Sequence, residues 1–171
     1  SGPIFTPPTT EKATIYMPGW GGGANWMGSA ADPDTGIIYI PSMTGPIALT
    51  LNEPDAARSN MRYLGSNTGV NGPFGLPLFK PPYGRITAID LNTGDHVWQV
   101  PHGDGPINHE KLKGLNLPPM GNSSRGHPLL TKSMLFIFEA GMGRGASGGG
   151  SNTNFRCYDK ATGELVYEGT I

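Results

Sequence analysis

The chain has 171 residues, enough for one domain with a real core, and carries 27 Gly, 17 Pro and only 15% charged residues. A formal net charge of −1 argues against a nucleic-acid or polyanion partner. No run of about 18 apolar residues is present to cross a membrane as a helix, and a single cysteine, Cys157, excludes an internal disulfide.

Glycine and proline approach the level of low-complexity disorder. Aromatic and β-branched runs nevertheless recur throughout, so the composition reads as short strands joined by long, punctuated loops. Ser1 to Phe5 lacks the basic and apolar regions of a signal peptide, an absence that says little for an internal fragment. Ala13 to Met17 is short and β-prone, a leading strand. Asn25 to Ala31 and Ile37 to Ile40 flank Asp32-Pro33-Asp34-Thr35-Gly36, a turn by its chemistry: proline sets φ, aspartate bonds its own backbone and Gly36 tolerates positive φ. Glu53 to Tyr63 has helix-forming residues but no apolar stripe, so it reads as loop with at most one or two turns. Asn52 to Pro82 reads as one long irregular segment. Strands follow at Arg85–Asp90 and His96–Val100, then a second irregular stretch from Pro101 to Gly126. A hairpin at Leu129–Leu130 and Met134–Phe138 precedes the glycine-rich Gly141–Asn154 loop. Phe155–Asp159 and Glu164–Tyr167 close the chain.

Two of these segments repeat. Thr87 to Trp98 aligns with Arg156 to Tyr167: Asp159 falls 69 residues after Asp90, and Gly163 falls 69 after Gly94. Each copy is a strand, an Asp-x-x-Thr-Gly turn, and a strand ending in an aromatic. A repeat of this size with several strands per unit points to propeller blades, one over about 20–102 and the next over about 126–171. Two similar hairpins in a β-sandwich are the alternative. The expected fold is all-β: a partial β-propeller of about two four-stranded antiparallel blades plus the leading strand.

Ala88-x-Asp90-x-x-Thr93-Gly94-x-x-x-Trp98 resembles the tryptophan-docking motif of the pyrroloquinoline-quinone (PQQ) dehydrogenases, eight-bladed propellers with PQQ near the axis. Tyr167 stands where the second copy of the motif would have tryptophan. Gly2-Pro3-Ile4-Phe5-Thr6-Pro7-Pro8-Thr9 with Pro18-Gly19 resembles the membrane-associated, glucose-dehydrogenase-like branch. Gly23 to Gly28 and Asp32 to Pro41 also resemble the alcohol-oxidising branch. The resemblance implies that residues 1–171 are the C-terminal part of one propeller domain. The catalytic base, the calcium ligands and the tryptophan beneath the quinone would then lie in earlier blades.

On that footing the cofactor-facing candidates are Asn25, Trp26 and Arg125. An amide can donate to and accept from quinone oxygens, an adjacent indole can wall the pocket, and a guanidinium can grip a PQQ carboxylate through two bonds. Asn25 as a turn cap with Trp26 in the core, and Arg125 as a solvated loop residue, are the plainer readings. No catalytic residue and no metal ligand is expected: His96, His102, His109 and His127 lack ligand spacing. His102 and His109 lie in a loop where substrate or quinone contact is open. Cys157 reads as a small apolar strand residue, since no His or Asn spacing around it suggests a thiol enzyme. Gly141-x-Gly143-x-x-Ala146 imitates a dinucleotide fingerprint but runs into a glycine-serine tract that would not hold the required helix. Asn122-Ser123-Ser124 matches a glycosylation acceptor.

The resemblance thus implies a PQQ- and calcium-dependent oxidoreductase acting on a sugar, polyol or alcohol. Its electrons would pass to ubiquinone or a cytochrome in the periplasm, with membrane association through segments outside this chain. This chain would supply scaffold and pocket wall. Alone it is expected to be inactive, to bind neither cofactor tightly and to self-associate through open sheet edges, its proper partners being the remaining blades. The alternative is a non-enzymatic propeller module built from the same repeats.

Overall fold

The computed structural model describes residues 2–24, 28–140 and 154–170. Their strands are β1 (Thr14–Tyr16), β2 (Ala30–Asp32), β3 (Ile37–Met43), β4 (Ile47–Asn52), β5 (Leu64–Gly69), β6 (Gly84–Asp90), β7 (His96–Pro101), β8 (Arg125–Leu130), β9 (Met134–Ala140), β10 (Asn154–Asp159) and β11 (Leu165–Thr170). The one helical piece among the described residues is a 3-10 turn at Pro73–Gly75.

Two four-stranded antiparallel sheets form, ordered β2-β3-β6-β7 and β8-β9-β10-β11. The local reason is turn chemistry. In the first repeat copy Asp90 Oδ1 accepts from the Asn92 backbone at 2.7 Å, and Gly94, at φ 81°, donates to the Asp90 carbonyl at 2.7 Å. In the second, Asp159 Oδ1 accepts from the Ala161 and Thr162 backbone at 2.8 and 3.0 Å, and Gly163, at φ 76°, donates to the Asp159 carbonyl at 2.9 Å. The β2–β3 hairpin closes the same way: Asp32 Oδ1 accepts from the Asp34 backbone at 3.1 Å and Gly36 donates to the Asp32 carbonyl at 2.9 Å.

The sheets pack face to face. Tyr39, Ile86 and Ala88 of the first meet Leu135, Ile137 and Tyr158 of the second in one buried cluster, with Trp98 against it. Alternation along β9 sends Leu135, Ile137 and Glu139 to this face. Trp98 is the cross-sheet dock. Its indole N–H donates to the Lys160 carbonyl at 3.1 Å, and its ring lies on Gly163, where a Cβ would come within 2.8 Å of Cε3. Lys160 in turn reaches back to Asp32 at 2.5 Å, so one turn of the second sheet is tied to two strands of the first. On the opposite face of the second sheet Phe155 stacks on Phe136 with ring centroids 5.5 Å apart, and Tyr167, the repeat counterpart of Trp98, is 58% exposed.

The leading strand β1 belongs to a third, three-stranded antiparallel sheet, β1-β4-β5. This corrects the expectation that Asn52 to Pro82 is irregular throughout, because β5 lies inside that span. The sequence Leu-Gly-Ser-Asn-Thr-Gly shows no apolar alternation since the whole strand is exposed. It is held instead by its backbone ladder to β4 and by Ser66 Oγ, bonded to Thr50 at 3.0 Å and Asn52 at 2.7 Å. Glu53 to Tyr63 is indeed loop, with an Asp55-led turn.

Candidate functional site

β2 and β8 are the first strands of their sheets and lie against each other. Arg125 opens β8, opposite Ala140. Its Nη2 donates to the Gly21 carbonyl at 3.2 Å, and its Nε is buried without a partner among the described residues. A buried donor left unpaired is costly. The Gly21 loop is itself pinned: Gly22 N–H donates to the Gly19 carbonyl at 2.9 Å, and Met43 N–H to the Gly23 carbonyl at 2.8 Å. Asn25 and Trp26, which follow Gly21 by four and five residues in the sequence, lie outside the described residues, as does the Gly141–Ala146 fingerprint.

The chain reaches Arg125 through a tightly held segment. Tyr83 N–H donates to the Met120 carbonyl at 2.8 Å, and Asn122 N–H to the His102 carbonyl at 2.7 Å. Gly84 and Gly121 allow this close crossing, since a Cβ on Gly121 would sit 1.9 Å from the Gly84 carbonyl oxygen. Ser123 Oγ donates to the Thr44 carbonyl at 3.2 Å, and Arg85 holds the Thr44 hydroxyl at 3.0 Å.

Beside this segment sits a buried carboxylate that sequence reasoning missed. Glu139 is 4% exposed. Its Oε1 accepts from Asn122 Nδ2 at 2.8 Å and from the Ser124 hydroxyl. Its Oε2 accepts from Arg156 Nη1 at 2.5 Å and Asn154 Nδ2 at 3.3 Å. Arg156 also binds Glu168 at 2.6 Å. Burial works to raise the Glu139 carboxyl, but the bonds from Ser124, Asn122 and Arg156 outweigh it and hold the group below its ordinary value. Burial likewise opposes the Arg156 charge, and Glu139 and Glu168 overcome it. The available signal was a lone Glu ending an apolar strand, followed in the next strand by a lone Arg. The Asn122 amide is engaged on both sides, because its Oδ1 also accepts from Gly105 N–H at 2.7 Å. It is therefore an internal strut, and glycan attachment at Nδ2 would disrupt its bond to Glu139.

His102 is buried between the sheets with Nδ1 2.8 Å from the Tyr158 hydroxyl, and burial pulls its pKa down to about 4. It is a neutral interior group. His109 bonds the Phe74 carbonyl at 3.1 Å. Cys157 is buried as a strand residue, and burial pushes its thiol up, which makes it a poor nucleophile. Beside β7, β10 and β11 a cavity of about 290 Å³ opens, with Arg156 and Glu168 on its polar side and Pro118, Pro119 and Leu165 on its apolar side. Among the described residues no three His, Cys, Asp or Glu side chains group closely enough to hold a metal.

Residues 1–171 match the family model described as the PQQ glucose/ethanol/alcohol dehydrogenase β-propeller domain. The chain belongs to this quinoprotein family. Quinoprotein relatives include the glycerol dehydrogenase large subunit of Gluconobacter thailandicus, 28% identical over 98% of the chain and 25% of that protein. A probable quinate dehydrogenase (quinone) of Xanthomonas campestris pv. juglandis is 28% identical over 98% of the chain and 22% of its own length. The quinoprotein glucose dehydrogenase of Escherichia coli (strain K12) is 26% identical over 98% and 22%. The chain therefore spans about a quarter of the curated quinoproteins it matches. Arg125 suits the family's cofactor in its chemistry alone: PQQ carries three carboxylates, and a half-buried guanidinium is a charge-assisted donor for such a group.

Proposed function

We propose that this chain is the C-terminal part of a PQQ-dependent dehydrogenase and forms one wall of its cofactor pocket, with Asn25, Trp26 and Arg125 facing PQQ. The blades run over about 20–102 and 126–171. The observation that carries this reading is the placement of Arg125: it is half-buried, opens the first strand of its sheet and is tied to Gly21, close in sequence to Asn25-Trp26.

Bound PQQ supplies the oxidising power, taking two electrons from the carbon that bears a substrate hydroxyl. The residues of this chain bind and orient. Arg125 pairs with a cofactor carboxylate, the Asn25 amide bonds a quinone oxygen, and Trp26 excludes water from one side of the pocket. The catalytic base and the calcium ligands belong to blades outside this chain, so the chain alone is inactive. The substrate is a sugar, polyol or related alcohol, as the names of the relatives indicate for those proteins. Electrons leave to a membrane quinone or a cytochrome on the periplasmic side. The aromatic face around Phe155 and Tyr167 receives a neighbouring blade, and in the isolated chain a second copy.

The test is PQQ titration of the intact dehydrogenase followed by tryptophan fluorescence. Arg125→Met removes a charge-assisted contact worth about 1.5–3 kcal/mol and should weaken PQQ binding about 10- to 100-fold. Unchanged affinity in a folded variant would refute the assignment.

A further inference from the structure

We infer that Glu139 is a positioning residue for the cofactor pocket: it fixes the segment Asn122–Ser124 and thereby aims Arg125 at the PQQ carboxylates. This deepens the reading of Arg125 given above and rests on it.

Burying a carboxylate is expensive, and an apolar side chain of similar size often serves stability as well or better. Glu139 sits on β9 directly after the apolar run Leu135–Phe138, where an apolar residue would continue the packing face. The first sheet supplies an internal control. Ile37 pairs with Asp90 as Met134 pairs with Asp159, so Glu139 corresponds to Ser42 and Arg156 to Thr87. One sheet of this chain thus closes without the charged pair. The pair is present in the sheet that carries Arg125.

The donors to Glu139 say what the charge does. Two of the four, Asn122 and Ser124, come from the three residues immediately before Arg125; the other two, Asn154 and Arg156, come from β10. The carboxylate therefore clamps the entry to β8 onto the sheet interior. Gly126 lies opposite Glu139 in the β8–β9 ladder, so the clamp and Arg125 are adjacent in register. Loosening it frees the backbone on which the Arg125 side chain is mounted. The far end of Arg125 reaches Gly21 at 3.2 Å, and a small shift of the strand start would move the guanidinium relative to that loop.

The experiment is a double-mutant comparison in the intact dehydrogenase, reading the PQQ dissociation constant by fluorescence titration. Glu139→Gln keeps the shape and removes the charge. It should raise the dissociation constant about tenfold, while Ser124→Ala, which leaves the Glu139–Arg156 pair in place, should raise it about threefold. Added to Arg125→Met, either substitution should change the constant by less than about twofold, because the group they position is gone. A merely structural role predicts equal losses in both backgrounds, and that result overturns the inference. So does wild-type affinity of folded Glu139→Gln. If Glu139→Gln does not fold, Ser124→Ala decides alone by the same comparison. Should Arg125→Met bind PQQ normally, the Arg125 assignment fails and the inference with it. Should Arg125→Met lose affinity while the Glu139 and Ser124 variants do not, only the inference fails.

Discussion

Replacing Gly163 by Ala probes the cross-sheet dock, and Gly94 provides a matched control. Both glycines end an Asp-x-x-Thr-Gly turn with nearly the same backbone, φ 76° and 81°. Alanine at either site meets the left-handed penalty of about 1–2 kcal/mol. The surroundings differ. Around Gly94 nothing lies within 4 Å of an added Cβ, whereas at Gly163 the methyl would fall 2.8 and 2.9 Å from Trp98 ring atoms and 3.0 Å from Val100 Cγ1. Trp98 cannot yield freely, since its N–H is bound to the Lys160 carbonyl and its ring packs on Tyr39 at a centroid distance of 5.7 Å. Overpacking of this kind costs about 1–3 kcal/mol, so Gly163→Ala should destabilise the chain by about 2–5 kcal/mol. Gly94→Ala should cost about 1–2 kcal/mol. Urea unfolding of the two variants measures the difference. A Trp98→Ala background should bring the cost of Gly163→Ala most of the way down to that of Gly94→Ala, with only the Val100 Cγ1 contact at 3.0 Å remaining. Equal costs in the parent background, or no relief from Trp98→Ala, would refute the docking argument.

Two further expectations concern pH. Hydrogen bonding to Lys160 leads the effects that hold Asp32 below its ordinary value of 3.8, so the pair contributes at neutral pH and is lost as pH falls through the depressed folded value. Lys160→Met should lower stability at neutral pH and flatten the acid limb of the stability curve below the ordinary carboxylate range, as read by urea midpoints across pH. His102 titrates near 4 when folded, against an ordinary 6.5, so the unfolded chain binds the extra proton between those values. Stability should therefore fall as pH drops from about 6.5 toward 4. His102→Asn, which retains a bonding atom for the Tyr158 hydroxyl, should remove that component. A curve of unchanged slope in this window would show that His102 is not buried neutral.

The repeat, the turns and the family are all legible along the chain. Asp90-x-x-Thr93-Gly94 and its counterpart at Asp159 close through hydrogen bonds spanning four residues or fewer, so their chemistry is written locally. Aromatic and β-branched runs marked β3, β6 and β9. The same criterion passed over β5, whose pairing is made by backbone and hydroxyls with no apolar face to reveal it. What Arg125 touches and what Glu139 holds emerge only on folding. Arg125 meets a carbonyl 104 residues away, and the donors to Glu139 come from both sides of it in the chain. A buried charge leaves no periodic trace in sequence. Its partners converge only once two strands and the segment between Gly121 and Arg125 are brought against one sheet, and burial then makes every one of those bonds necessary.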